Sequence, residues 1–259
     1  MNSRPTVSES KIYLPGSGGR ISTRKKRLTC QEIKRCYTPS KSKCDWRKVI
    51  SKSHWKQGKS AYQTASAWEE SNPDLPQEIR NLFGVPVELL IATPEHSSPL
   101  KGRGGSSRTD VLALVCKSGE KCVLAVEGKV DEGFGKESVE EWLKSGNCSE
   151  NRIKRLSHIL GKLGLSCKDV RAIKGLKDVR YQLLHRTACA VIEAKRFNAT
   201  HAAMIVHSFS QKPTPTGHSD FKELCRALRA KPVTAGKLYK VPKRKIPLGI
   251  PLFLGWTNP

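Results

Sequence analysis

Thr109-Asp110-Val111-Leu112-Ala113-Leu114-Val115-Cys116 and, after Lys117-Ser118-Gly119-Glu120-Lys121, Cys122-Val123-Leu124-Ala125-Val126-Glu127-Gly128-Lys129 decide how this chain folds. Two apolar runs around a turn-forming segment predict a β-hairpin. Both runs are apolar on both sides, as in central strands. Charge enters only where the strands would open to solvent, at Asp110, Glu127 and Lys129. Side chains alternate along a strand, so Glu127 and Lys129 share a face. Asp110 joins them if the loop has the right parity. A four-residue loop over 118–121, setting Lys117 opposite Cys122 and Asp110 opposite Lys129, meets that condition. Two carboxylates that converge on a hard divalent cation beside an ammonium are the minimal set for hydrolysing a phosphodiester. The hairpin therefore predicts a metal-dependent nuclease.

Outward from the hairpin, residues 85–93 read as a strand and 94–108 as a turn-rich link. Helices are predicted over 60–70, with Ser60 as N-cap, and over 76–82, with Pro76 in the first turn. Further helices are predicted over 138–143, 152–163 and 177–197. The last is the clearest, because Val179, Leu183, Leu184, Ala188, Val191 and Ile192 keep the spacing of a core-facing stripe. Residues 201–209 read as a fourth strand. Residues 246–256 read as an edge strand, because Pro247 and Pro251 exclude a central one. This order predicts one α/β domain with a mixed central sheet flanked by helices. No internal repeat is visible.

The 259 residues carry a net charge of +24, unevenly distributed. Residues 1–60 hold +13 and residues 211–259 hold +8, leaving +3 for the centre. The expected organisation is a basic N-terminal arm (1–59), a core (60–210) and a basic C-terminal extension packed on that core (211–259). Two basic arms around a nearly neutral centre predict a nucleic-acid partner gripped through phosphate contacts. Neither arm contains a basic amphipathic helix, which argues against a membrane surface as partner. No apolar run approaches a membrane span, and no signal-type apolar stretch follows Met1. The nine cysteines, several inside apolar segments, predict reduced core thiols and a cytoplasmic protein. Cys30, Cys36 and Cys44 lack the spacing of a structural zinc site. Gly16-Ser17-Gly18-Gly19 lacks the preceding strand and following Lys-Ser/Thr of a phosphate-binding loop.

The order of elements, with Asp110 opening the second strand and Glu127-x-Lys129 ending the third, resembles the PD-(D/E)XK nuclease superfamily. Its members include restriction endonucleases and repair nucleases built on an αβββαβ core. The resemblance covers residues 60–210. Ala125-Val126-Glu127-Gly128-Lys129-Val130-Asp131-Glu132-Gly133-Phe134-Gly135 and Arg180-Tyr181-Gln182-Leu183-Leu184-His185-Arg186-Thr187-Ala188 are similar to an uncharacterised bacterial family assigned to it. Thr109 stands where the superfamily has a proline. Tyr181-Gln182 replaces the widely spaced Gln and Tyr of some repair nucleases, which argues against that branch.

The resemblance and the residue chemistry together imply Mg²⁺ (or Mn²⁺) held by Asp110, Glu127 and the carbonyl of Gly128, with waters completing the octahedron. Lys129 would hold or deprotonate the attacking water, or stabilise developing negative charge. Glu95, after the first strand, is the preferred third acid, with Glu69 on the first helix its competitor. Gln182 and His185 flank the apolar stripe of the long helix, so one of them reaches the site. His207 alternates with core residues and is expected to be structural. Lys101, Arg103 and Arg108 in the link, and Arg24, Lys25, Lys26 and Arg27 in the arm, are the expected phosphate contacts. DNA is the expected substrate. RNA, a non-catalytic nucleic-acid-binding role and a homodimer all remain open.

Overall fold

The computed structural model describes residues 42–102, 104–165, 175–230, 236–242 and 249–258. They belong to one compact unit, Pro39–Pro259. Among them, helices α1 (Lys43–Trp46), α2 (Ser60–Glu70) and α3 (Gln77–Asn81) precede strands β1 (Glu88–Ser98), β2 (Ser107–Lys117) and β3 (Glu120–Lys129). Helices α4 (Val139–Lys144), α5 (Glu150–Lys162) and α6 (Tyr181–Arg196) lead to β4 (His201–Ser208). Helix α7 (His218–Ala227) and strands β5 (Lys237–Lys240) and β6 (Leu252–Thr257) complete the order.

The fold is α/β, with a six-stranded mixed sheet in the order β1-β2-β3-β4-β6-β5. β1, β2 and β3 form an antiparallel meander, β4 joins β3 in parallel and β6 joins β4 in parallel. β5 closes the far edge antiparallel to β6. Helices cover both faces. On one, Leu112, Val123, Ala125, Met204 and Val206 pack against Leu156 and Ile159 of α5, Leu183, Leu184 and Val191 of α6, and Phe221 of α7. On the other, Val111, Ala113, Val115, Leu124, Val126 and Ile205 pack against Trp46, Ala65, Trp68, Leu75 and Ile79. Trp46 thus makes the end of the expected arm part of the core layer, and Trp55 packs beside it.

The hairpin corrects the expected register. Its loop is two residues, Ser118 and Gly119, with φ of 51° and 79°, and Lys117 pairs with Glu120. Left-handed residues at both loop positions make the turn whose twist matches the strands, a geometry Gly119 adopts at little cost. Against the expected four-residue loop, β3 slides by two residues. Parity survives, so Asp110 keeps its face, but the last strand pair, Val111 with Val126, sets it across from Glu127 rather than Lys129.

Other boundaries also moved. β1 runs through Pro94 to Ser98, which an edge strand permits because its outward amide needs no partner. Lys59, not Ser60, is the N-cap of α2, with no side-chain capping bond. α6 starts at Tyr181 rather than 177, because the backbone before it is bound elsewhere. Val139 N–H donates to the Val179 carbonyl, and Tyr181 N–H donates to the Glu137 carbonyl. The expected edge strand at the C-terminus is instead interior: β6 lies between β4 and β5. Pro251 immediately precedes β6, so no proline interrupts its ladder. Residues 211–259, expected as an extension on the core, thereby supply α7 and two strands of the sheet.

Candidate active site

The register places three acids in a row across the meander. Glu95 and Asp110 stand between the pairs Pro94/Val111 and His96/Thr109 of β1 and β2. Glu127 follows Val126, the partner of Val111. Glu95 has φ of 51°, a left-handed conformation that costs a non-glycine residue roughly 1–2 kcal/mol. Strain of this kind concentrates at working sites, and here it falls on the acid row.

Glu127, 2% exposed, is the centre of the cluster. Its Oε1 accepts from Gln182 Nε2 at 2.6 Å and lies 3.1 Å from Lys129 Nζ. Its Oε2 accepts from Arg186 Nε at 2.7 Å. Burial pushes the Glu127 carboxyl up, but the cations of Arg186 and Lys129 outweigh it and hold the group at about 2. The half-buried Asp110 accepts at Oδ2 from the Gly128 N–H, 2.9 Å away. Burial, reinforced by the neighbouring Glu127 charge, pushes Asp110 up to about 8, against the opposing charges of Arg186 and Lys129. Burial also raises Glu95, with Arg108 and Arg186 opposing. Lys129 loses by burial but gains more from Glu127 and Asp110, so it stays an ammonium. An ammonium at that position is suited to stabilising negative charge.

Gly128, between the acid and the lysine, faces the other side of the sheet, against α2. A Cβ there would overlap Thr64 Oγ1, so the close approach of this helix requires glycine.

Of the two polar residues weighed on the long helix, Gln182 bonds Glu127 directly. His185 instead lies 2.8 Å from Ser107 Oγ, and burial followed by Arg186 lowers its pKa to about 3. Arg186 was missed, though it follows Gln182 by four positions on the same helical face, a spacing visible in the sequence. Its NH1 also donates to Ser107 Oγ at 2.7 Å, tying the start of β2 to the site. Glu69 is elsewhere: it accepts from Trp46 Nε1 at 2.5 Å, in the layer against the opposite face. His207 is fully buried on β4, 3.7 Å from Glu78. Arg108 NH1 lies 3.7 Å from Glu95, while Lys101 is exposed on the link. Arg24, Lys25, Lys26, Arg27 and Arg103 lie outside the described residues.

For a divalent cation the donor set is chemically suited: three carboxylates in register stand beside the largely buried cations Arg186 and Lys129, and the raised pKa of Asp110 is of the kind a bound metal ion would lower. In the arrangement described, however, both oxygens of Glu127 are already bonded. Among the described residues no three His, Cys, Asp or Glu side chains converge closely enough to hold a metal. Gln182, neutral and in the first turn of α6, is the partner Glu127 can release most cheaply.

A family model described as a domain of unknown function, DUF6946, matches residues 39–259. The chain belongs to the DUF6946 family. Every element of the DUF6946 fold described above, including Trp46 and the C-terminal strands, lies within the matched span. No curated protein and no solved structure matches the chain significantly. Among the described residues of this DUF6946 protein, no helix is long and apolar enough to cross a membrane.

Proposed function

We propose that this DUF6946 protein is a metal-dependent nuclease that hydrolyses phosphodiester bonds of DNA, on a PD-(D/E)XK-like core. The observation that carries the reading is the register-matched row Glu95, Asp110 and Glu127, with Lys129 two positions beyond on the same face. The order α2, β1, β2, β3, α6, β4, with α3 inserted before β1, α4 and α5 inserted before α6, and β4 parallel to β3, supports it. Asp110 and Glu127, with Glu95 and the Gly128 carbonyl as further oxygens, would hold Mg²⁺ or Mn²⁺. When bound, that ion lowers the pKa of a water and neutralises charge on the phosphate. Lys129, held as an ammonium by Glu127, offsets the negative charge that develops on the phosphate oxygens. Arg186 and Gln182 orient the Glu127 carboxylate. The unpaired thiols Cys116, Cys122, Cys148, Cys189 and Cys225 suit a reducing, cytoplasmic setting.

One observation favours a second reading, a non-catalytic nucleic-acid-binding protein: both carboxylate oxygens of Glu127 are engaged by protein partners. Plasmid DNA with Mg²⁺, with and without EDTA, separates the two. Glu127→Gln is the informative variant, because truncation to Ala would strand two buried cations at a cost of about 3–5 kcal/mol. A nuclease loses at least about 10²-fold of its cleavage rate in Glu127→Gln and in Lys129→Ala, while both variants still bind DNA. Wild-type rates in either variant refute the assignment, and absence of EDTA-sensitive cleavage in the wild type favours the binding protein.

A further inference from the structure

On the helical face that carries the acid row, a cavity of about 360 Å³ opens between the β1–β2 link, α5 and α6. Its apolar lining is Pro99, Leu100, Val191 and Ile192. Lys101, His158, Lys162, Lys195 and Arg196 also line it, and no acid does. Arg196 is committed to the buried Glu193, at 3.0 and 3.1 Å. Among the described residues, Lys101, Lys162 and Lys195 form no ion pair. Both α5 and α6 end here, and each helix terminus carries roughly half a negative charge. Three uncompensated ammonium groups exceed that, so the cavity lining is electropositive. Burial, then Lys162, Lys101 and Arg155, lower the pKa of His158 beside them.

The wall is held in place despite its glycines. Arg155 NH1 donates to the Gly105 carbonyl at 2.8 Å, and its Nε donates to Tyr181 Oη at 2.9 Å. Gly102, at φ of 93°, packs so closely on α5 that a Cβ would lie 3.1 Å from the Asn151 carbonyl. A cavity of this size, lined by apolar residues and several basic groups, has the character of a small-molecule site.

We propose that this cavity is a nucleotide subsite, in which Pro99, Leu100, Val191 and Ile192 receive a base and Lys101, Lys162 and Lys195 receive its phosphate. The choice of a nucleotide over other apolar anions rests on the nucleic-acid reading above. α6 connects the cavity to the acid row: Arg186 and Lys195 are nine residues apart, about 14 Å along the helix. That is roughly four steps of a stacked strand at ~3.4 Å per nucleotide, so one strand can occupy both places.

Calorimetric titration of the full chain in EDTA with 5′-AMP, adenosine, inorganic phosphate and octanoate tests the subsite. Binding of 5′-AMP at least tenfold tighter than each of the other three is expected, because only it offers both a ring and a phosphate. The Lys162→Glu/Lys195→Glu variant should weaken 5′-AMP binding at least tenfold, whereas Lys222→Glu, an exposed charge on α7, should not. The His158 pKa, followed by NMR, should rise when 5′-AMP binds. Octanoate binding as tight as 5′-AMP, or indifference to the Lys162/Lys195 change, overturns the proposal. A 5′-phosphorylated single-stranded decanucleotide distinguishes the sources: displacement of 5′-AMP assigns the subsite to the substrate strand, and no displacement assigns it to a free nucleotide. No 5′-AMP binding in protein that cleaves plasmid DNA overturns the subsite alone, and binding without cleavage overturns the nuclease alone.

Discussion

Asp110 and Glu127 face each other across two strands, and their different neighbours move their pKa values in opposite directions. Arg186 and Lys129, bonded to Glu127, lower its pKa, whereas burial and the Glu127 charge raise that of Asp110. This has opposite consequences for stability. Glu127, held at about 2 in the fold, contributes stability present above its ordinary 4.5 and lost as pH falls toward 2. Asp110, raised from 3.8 to about 8, binds its proton more tightly in the folded chain. Its ionisation therefore costs nothing near pH 4, costs more as pH rises, and reaches its full cost above about 8. In EDTA, Asp110→Asn should unfold at higher urea than the wild type at pH 9, with the difference shrinking toward pH 5. Urea midpoints at the two pH values check this, and a pH-independent difference contradicts it. Glu95→Gln, which removes a second desolvated acid from the row, should likewise stabilise the fold slightly while slowing cleavage.

The element with the least freedom is β3, because its two faces answer to different helices. Odd positions Glu127 and Lys129 serve α6, and the even position Gly128 admits α2. Gly128→Ala should destabilise the fold by about 1–3 kcal/mol, since Thr64 is buried and β-branched. Thr64→Ala alone should be nearly neutral, because Thr64 Oγ1 has no hydrogen-bond partner among the described residues. The double variant should recover most of the loss, as a double-mutant cycle by thermal denaturation would measure. Additive effects would mean that the glycine is not there for α2. Helices and strands with strong periodicity were legible as elements, and so was the shared face of Glu127 and Lys129. Their ends were not: capping by Lys59, the late start of α6 and the interior position of β6 depend on partners distant in sequence. Ser118-Gly119 was readable as a two-residue turn, and reading it would have set the register correctly.

For the whole molecule, most of the net positive charge belongs to the two ends of the sequence: residues 1–60 hold +13 and residues 211–259 hold +8 of the +24. Residues 1–38 hold nine basic and two acidic residues and precede the compact unit. Deleting them should weaken DNA binding without regard to sequence. It should also make the log–log salt dependence shallower by roughly 0.9 for each phosphate that the shortened chain no longer neutralises. Deleting as far as residue 59 should instead yield insoluble protein, because it strips Trp46 and Ile50 from the layer that covers Val111, Leu124 and Ile205. Affinity measured at several salt concentrations for the full chain and the shorter truncation checks the first expectation, and an unchanged slope refutes it. The sequence by itself determined the α/β class, the two central strands, the parity that keeps Asp110 on the face of Glu127, and the charged ends, because alternation and composition are local properties. Only the tertiary structure decided that Arg186 and Gln182 hold Glu127, that Glu95 rather than Glu69 stands in the acid row, and that the C-terminal segment completes the sheet. The first of those outcomes depends on which strand end meets which helix turn across 55 or more residues, and no local pattern encodes such a meeting.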